Sequence, residues 1–299
     1  MDFEIHMTYT EEQETFRNEV RAWLEANVPK LHRAEPGSSL TQQQRLENQE
    51  MSKQYRLKMG EKGWRAPTWP KEWGGGGLST QQTVVLNEET SRARAPGVGD
   101  LGLSLGAPAI LIHGTEEQKK RWLPDVITGK KVGWQVFTEP EAGSDLASLK
   151  TRGVRDGDEW VINGSKQFIS GGGGPPDYLY TLVNTNPQAA RHENISAFII
   201  DAQTPGITIQ RMDLIGMNEF EGGQHFVFFD NVRVPHENLV GSEGRGWQMA
   251  NTTLELEHGG AGSVGGAPQG GGRAMVNRVI DYLKGDVKAA EEEGSPAFG

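Results

Sequence analysis

Two spacings of apolar residues divide this chain. Up to about residue 130 they recur three or four apart, as on one face of a helix. From Val132 onward they alternate or run together in short β-branched and aromatic stretches. Thr10, with Gln13 three residues on, forms a capping box, and Phe16, Val20, Trp23 and Leu24 then share a face. That predicts a helix to about Asn27, ended by Pro29. A second, more polar helix is predicted from Gln42 to Glu61, with Leu46, Tyr55, Leu57 and Met59 to bury. Helices are predicted at 80–93, 103–113 and 116–127; Thr115 and Gln118 cap the last, and Pro124 should kink or split it. His113 ends its helix, where a basic group suits the dipole, and is read as structural. The stretch 64–78, with Pro67, Pro70, three Trp and four consecutive Gly, is read as an irregular connection.

Eight apolar runs follow, at 132–137, 149–154, 159–162, 167–170, 178–183, 195–200, 207–211 and 226–229, with Gly-containing turns between them. Short strands so punctuated argue for an antiparallel barrel or sandwich. Asn163-Gly164 reads as a two-residue hairpin turn between the third run and the fourth. Helical character returns after residue 241, with a helix expected from Trp247 to about His258. The glycine-rich stretch 259–272 reads as a loop, and Ala274–Lys284 as an amphipathic helix. The fold expected is therefore an α+β multidomain chain: a helical domain over 8–131, a β domain over 132–240 and the start of a second helical domain over 241–299.

Composition narrows the function. Thirty Lys and Arg against forty Asp and Glu give a formal charge of −10, which disfavours nucleic acid and anionic membranes as partners. The absence of Cys excludes disulfides, thiolate metal sites and Cys nucleophiles, and the seven His show no metal-ligand spacing. No apolar run reaches membrane-spanning length and no signal-peptide pattern opens the chain, so a cytoplasmic protein is expected. The glycine runs do not follow a strand in a βαβ unit, which removes a dinucleotide-binding or phosphate-loop reading.

The candidate chemistry lies in two stretches, Val136-Phe-Thr-Glu-Pro-Glu-Ala-Gly-Ser-Asp145 and Asn163-Gly-Ser-Lys-Gln-Phe-Ile-Ser-Gly171. If their strand ends are neighbours, Thr138 and Ser170 present hydroxyls and backbone amides side by side. Such a rim suits a flat heterocycle with polar edges, with Phe137 and Phe168 for apolar contact. With Phe-Phe-Asp-Asn-Val-Arg-Val-Pro at 228–235, these motifs come in an order that resembles the acyl-CoA dehydrogenase family, over roughly Thr8 to Gly266.

The resemblance implies FAD bound by Gln135, Val136, Phe137, Thr138, Gly143, Ser144, Phe168, Ile169 and Ser170, with Thr138 and Ser170 on the flavin edge. Phe168 occupies a place that is often Trp in relatives. Ser144, Glu255 and His258 would meet the acyl-CoA substrate. Glu257 matches the place from which long-chain and isovaleryl-type branches supply their catalytic base; Glu255, about 200° round the helix, faces away from it. The implied activity is α,β-dehydrogenation of an acyl-CoA thioester, with electrons passed to electron-transfer flavoprotein. Alternatives on the same fold are an oxidase-like or monooxygenase-like flavoenzyme and a non-catalytic subunit. Relatives carry a longer C-terminal bundle, so a shortened domain completed by a homo-oligomer or a complementary subunit is expected.

Overall fold

The computed structural model describes residues 9–33, 38–171, 174–215 and 223–257, together with 280 and 285. The α-helices within them are α1 (Glu11–Asn27), α2 (Gln42–Glu61), α3 (Thr80–Arg92), α4 (Ala107–His113), α5 (Glu116–Ile127) and α6 (Gly246–Glu257). The strands are β1 (Gly133–Val136), β2 (Arg152–Asp156), β3 (Glu159–Ser170), β4 (Tyr178–Asn184), β5 (Ile195–Asp201), β6 (Ile207–Met212) and β7 (Gln224–Pro235). His258, the glycine-rich stretch and nearly all of the helix expected at 274–284 lie outside the described residues.

The chain divides into two compact units. In one, α1 and α3 pack together, each opened by a capping box, with Val20, Leu24, Val85 and Leu86 buried. Glu89 is buried between the guanidinium groups of Arg17 and Arg21, at 2.9 and 3.0 Å. Burial raises its carboxyl pKa, but the hydrogen bonds from Arg21 and Arg17 outweigh that and hold it below the usual range.

The other unit holds α2, α4 to α6 and the sheet. The seven strands form one sheet in the order β1-β4-β2-β3-β7-β6, with β5 on the free side of β4. Pairing is antiparallel except where β4 runs parallel to β1 and touches β2. One face buries Trp134, Val136, Trp160, Ile162, Ile169, Phe198 and Val227 among its own strands. The other carries Phe137, Tyr178, Tyr180 and Leu182 and is covered by α4, α5 and α6 through Ile110, Trp122, Leu123, Met249 and Ala250. β4 and β5 thus serve two cores by their two-residue alternation.

The structure corrects several local expectations. There is no hairpin at Asn163-Gly164: the two runs join as the single strand β3, and the turn into it is Gly157-Asp158, with Gly157 at φ +63°. Asn163 instead accepts a bond from the Asn231 amide at 2.8 Å, and Gly164 allows Thr151 to approach the strand closely. Eight predicted runs accordingly give seven strands among the described residues. Pro124 sits within an unsplit α5. Leu46 is exposed, because α2 buries only its C-terminal half, at Tyr55, Arg56, Met59 and Gly60. The helix expected at 103–113 begins as a π-turn at Gly102–Gly106. Its entrance is held by Asp100, which accepts from the Leu103 amide and from Arg65 at 2.6 Å, both charged side chains being fully buried.

Candidate functional site

The two motif stretches meet in space. The Gln167 amide donates to the Thr138 carbonyl at 2.9 Å, so the chain leaving β1 runs against the middle of β3. Thr181 pins the end of β1 from the other side, its hydroxyl donating to the Val136 carbonyl at 2.8 Å. Thr138 is half-buried, and its hydroxyl has no hydrogen-bond partner among the described residues. Gly143 returns beside it, with 4.0 Å between an added Cβ and the Thr138 methyl.

Across from Thr138, β3 is irregular. Its register with β7 shifts between Lys166 and Ile169, a β-bulge, and Phe168 within it has φ +54°. A bulky residue in the left-handed region is an outlier costing about 1–3 kcal/mol, and bulges of this kind redirect a side chain. Here the Phe168 ring is turned outward and is 51% exposed. Ser170, also exposed, has its hydroxyl engaged by Gln224 at 2.9 Å.

The predicted contact residues fall into two groups. Thr138, Gly143, Ser144, Phe168 and Ser170 are accessible, and Gln135 is partly so. Val136, Phe137 and Ile169 are buried, Phe137 against Tyr180 at 5.1 Å between ring centres, and can meet a ligand through backbone only. Ser144 lies in the exposed turn next to Asp145, which pairs with Arg191. Glu255 is exposed on α6, and Glu257 is the last residue of that helix. Thr253, one turn before the end of α6, is fully buried, and its hydroxyl donates to the Met249 carbonyl at 3.0 Å. The buried face of α6, with Met249 and Ala250, packs against the sheet face carrying Phe137.

The motif reading assigned no role to the pair beneath this surface. Lys166 is fully buried, and its ammonium donates to the Phe137 carbonyl at 3.1 Å, the Glu139 carboxylate at 2.8 Å and the Leu182 carbonyl at 2.8 Å. Glu139 also accepts from the amides of Lys150 at 2.6 Å and Thr151 at 3.0 Å. Burial raises the Glu139 carboxyl pKa, but the Lys166 charge and these donors overcome it and hold the group below the ordinary range. Burial lowers Lys166, with Glu139 opposing. A period-two reading of β3 contained the signal: position 166 is in register with Trp160 and Ile162, and a lysine on a core face requires a carboxylate.

Comparison with known proteins decides the family. Residues 10–130 match the model of the acyl-CoA dehydrogenase N-terminal domain, and residues 135–232 that of its middle domain. The chain belongs to the acyl-CoA dehydrogenase family. It is 38% identical over 202 residues to acyl-CoA dehydrogenase FadE29 of Mycobacterium tuberculosis, covering 67% of this chain and 50% of that protein. It is 36% identical over 236 residues to an acyl-CoA dehydrogenase of Bacillus subtilis, covering 76% and 59%. Among solved structures, the Tcur3481-Tcur3483 steroid acyl-CoA dehydrogenase aligns with a TM-score of 0.68 at 31% identity, over 97% of this chain and 70% of that one. The ChsE4-ChsE5 complex of Mycobacterium tuberculosis aligns at 0.65 and 27%, over 98% and 79%. The chain spans about half to three-fifths of the length of the FadE29 and Bacillus subtilis acyl-CoA dehydrogenases. No helix among the described residues is long and apolar enough to cross a membrane, and they contain no His, Asp and Glu cluster able to hold a metal ion.

Proposed function

We infer that this chain forms the flavin-facing and thioester-facing part of an FAD-dependent acyl-CoA dehydrogenase. The observation that carries this reading is the 2.9 Å bond from the Gln167 amide to the Thr138 carbonyl, which makes one surface of two motifs. That surface suits an isoalloxazine ring. The Thr138 hydroxyl is unpartnered among the described residues, the Phe168 ring is presented by a strained bulge, and Gly143 leaves space beside Thr138.

When bound, FAD supplies the hydride acceptor that no side chain can provide. The chain's own share is to hold the ring edge with Thr138 and Ser170, to cover it with Phe168 and to meet the CoA portion near Ser144. Glu257, the last residue of α6, is the proposed base for the α-proton. Glu255 and His258 are proposed to contact the substrate. Electron-transfer flavoprotein is the proposed oxidant, and a second copy or a complementary subunit is the proposed assembly partner. The ChsE4-ChsE5 complex, which joins two different proteins, supports the latter arrangement.

Purification of the 299-residue chain followed by absorbance measurement tests the cofactor, and turnover of an acyl-CoA panel tests the reaction. A colourless protein that takes up no FAD would defeat the reading. Slow reoxidation of the reduced protein in air is expected, and fast reoxidation would favour an oxidase.

A further inference from the structure

The Lys166–Glu139 pair is placed to do more than fill the core. Lys166 has three N–H groups and three acceptors, so its donors are all committed. Two of those acceptors, the Phe137 carbonyl and the Glu139 carboxylate, belong to the residues on either side of Thr138. Next along β3, Gln167 binds the Thr138 carbonyl through its amide and reaches the Glu139 carbonyl at 3.4 Å through its side chain. The bulge that turns Phe168 outward begins at Lys166 itself. One ammonium group thus ties the Thr138 edge to the Phe168 edge, and Glu139 carries the connection on to Lys150 and Thr151.

We propose that Lys166 is a positioning residue for the FAD surface, setting the spacing between the Thr138 backbone and the Phe168 bulge, with Glu139 as its counter-anchor. The proposal rests on the FAD reading above. Stability alone accounts poorly for the pair, because a buried ion pair is often no better than well-packed apolar side chains of the same volume. Apolar side chains cannot supply three directed donors to two carbonyls and a carboxylate. A binding surface needs its supporting contacts fixed to about 0.5 Å, and such a node provides that.

The test uses the full chain in three forms: wild type, Lys166→Met and Lys166→Met/Glu139→Gln. FAD dissociation constants, melting temperatures and amide hydrogen exchange without added flavin are compared. Lys166→Met strands a buried carboxylate, so it should melt lower; the double variant should recover much of that loss. FAD affinity should stay about tenfold or more below wild type in both, the order by which loss of supporting contacts weakens a bound group. Exchange should quicken at the amides of Gln167, Lys150 and Thr151 in the double variant, while the β4–β5 ladder keeps its protection. Wild-type affinity in the double variant, or unaltered exchange at Gln167, would overturn the positioning role. Failure of the wild type to bind FAD would instead sink the cofactor reading, leaving the exchange measurement to decide whether Lys166 sets the backbone.

Discussion

Gly164 and Thr151 are in backbone contact: a Cβ on residue 164 would stand 2.5 Å from the Thr151 Oγ1 and 2.7 Å from its Cα, at φ +151°. Neither the contact nor the dihedral tolerates a side chain. Gly164→Ala is therefore expected to lower unfolding free energy by about 2–3 kcal/mol, the range of overpacking a tight core. Gly157→Ala, in a turn with open space around it, should cost only the left-handed strain of about 1–2 kcal/mol. Urea titration of the two variants measures the difference. Equal losses would mean that the contact at 164 relaxes freely.

Phe168 should show opposite effects on stability and binding. Its φ of +54° suits glycine, so Phe168→Gly is expected to leave stability unchanged or raise it by up to about 1 kcal/mol. The same change removes the exposed ring and should weaken FAD binding. Melting curves and flavin fluorescence titration read the two effects separately, and a variant that binds FAD as well as wild type would remove Phe168 from the flavin contact.

Glu257→Gln is expected to lower turnover of the best acyl-CoA by about 10²–10⁴-fold while FAD binding is retained, as for loss of a general base. Unchanged turnover would assign the base elsewhere. Glu255, exposed on α6, serves as the comparison, since a substrate contact that moves no proton should matter less: Glu255→Gln should have the smaller effect.

His113 gives a pH signature. Burial lowers its pKa below the ordinary 6.5, and its Nε2 meets the Thr252 hydroxyl at 2.9 Å. In the unfolded chain it binds a proton more readily than in the fold, so its share of stability is present above pH 6.5 and is lost as pH falls below that value. His225, also lowered by burial, adds to the same slope. His113→Gln keeps a polar partner for Thr252 and should flatten, without abolishing, the fall in stability between about pH 6.5 and pH 5. An identical slope in variant and wild type would exclude His113 as a contributor. The dipole argument from sequence does not explain this residue, since a group held neutral gains little from a helix C-terminus.

The helices were legible because their signals are local. Thr10 with Gln13, Thr41 with Gln44, Ser79 with Gln82 and Thr115 with Gln118 all form complete capping boxes, and each pair sits within four residues of sequence. The alternation that marked a β region was legible for the same reason. What failed was Asn163-Gly164, where the local turn preference lost to pairing with β7 and contact with Thr151. Within the site, the meeting of the Thr138 stretch with the Gln167 stretch was readable from the motifs. The support beneath them was not, because Lys166 finds Glu139 across 27 residues and Leu182 across 16. The outward turn of Phe168 has no sequence signal either: nothing in Lys-Gln-Phe-Ile marks a left-handed residue.

The parallel pairing of β1 with β4 bears on biogenesis. Thr138 is held by Gln167, Lys166 reaches to Leu182, and β1 is flanked by a strand that starts at Tyr178. If FAD binds the proposed surface, a nascent chain that has not yet delivered residue 184 to the outside of the ribosome has no place for it, however long its helical portion has been folded. Cofactor capture would then follow closure of the sheet, and a flavin-dependent gain in protease resistance should first emerge in nascent chains long enough to expose β4.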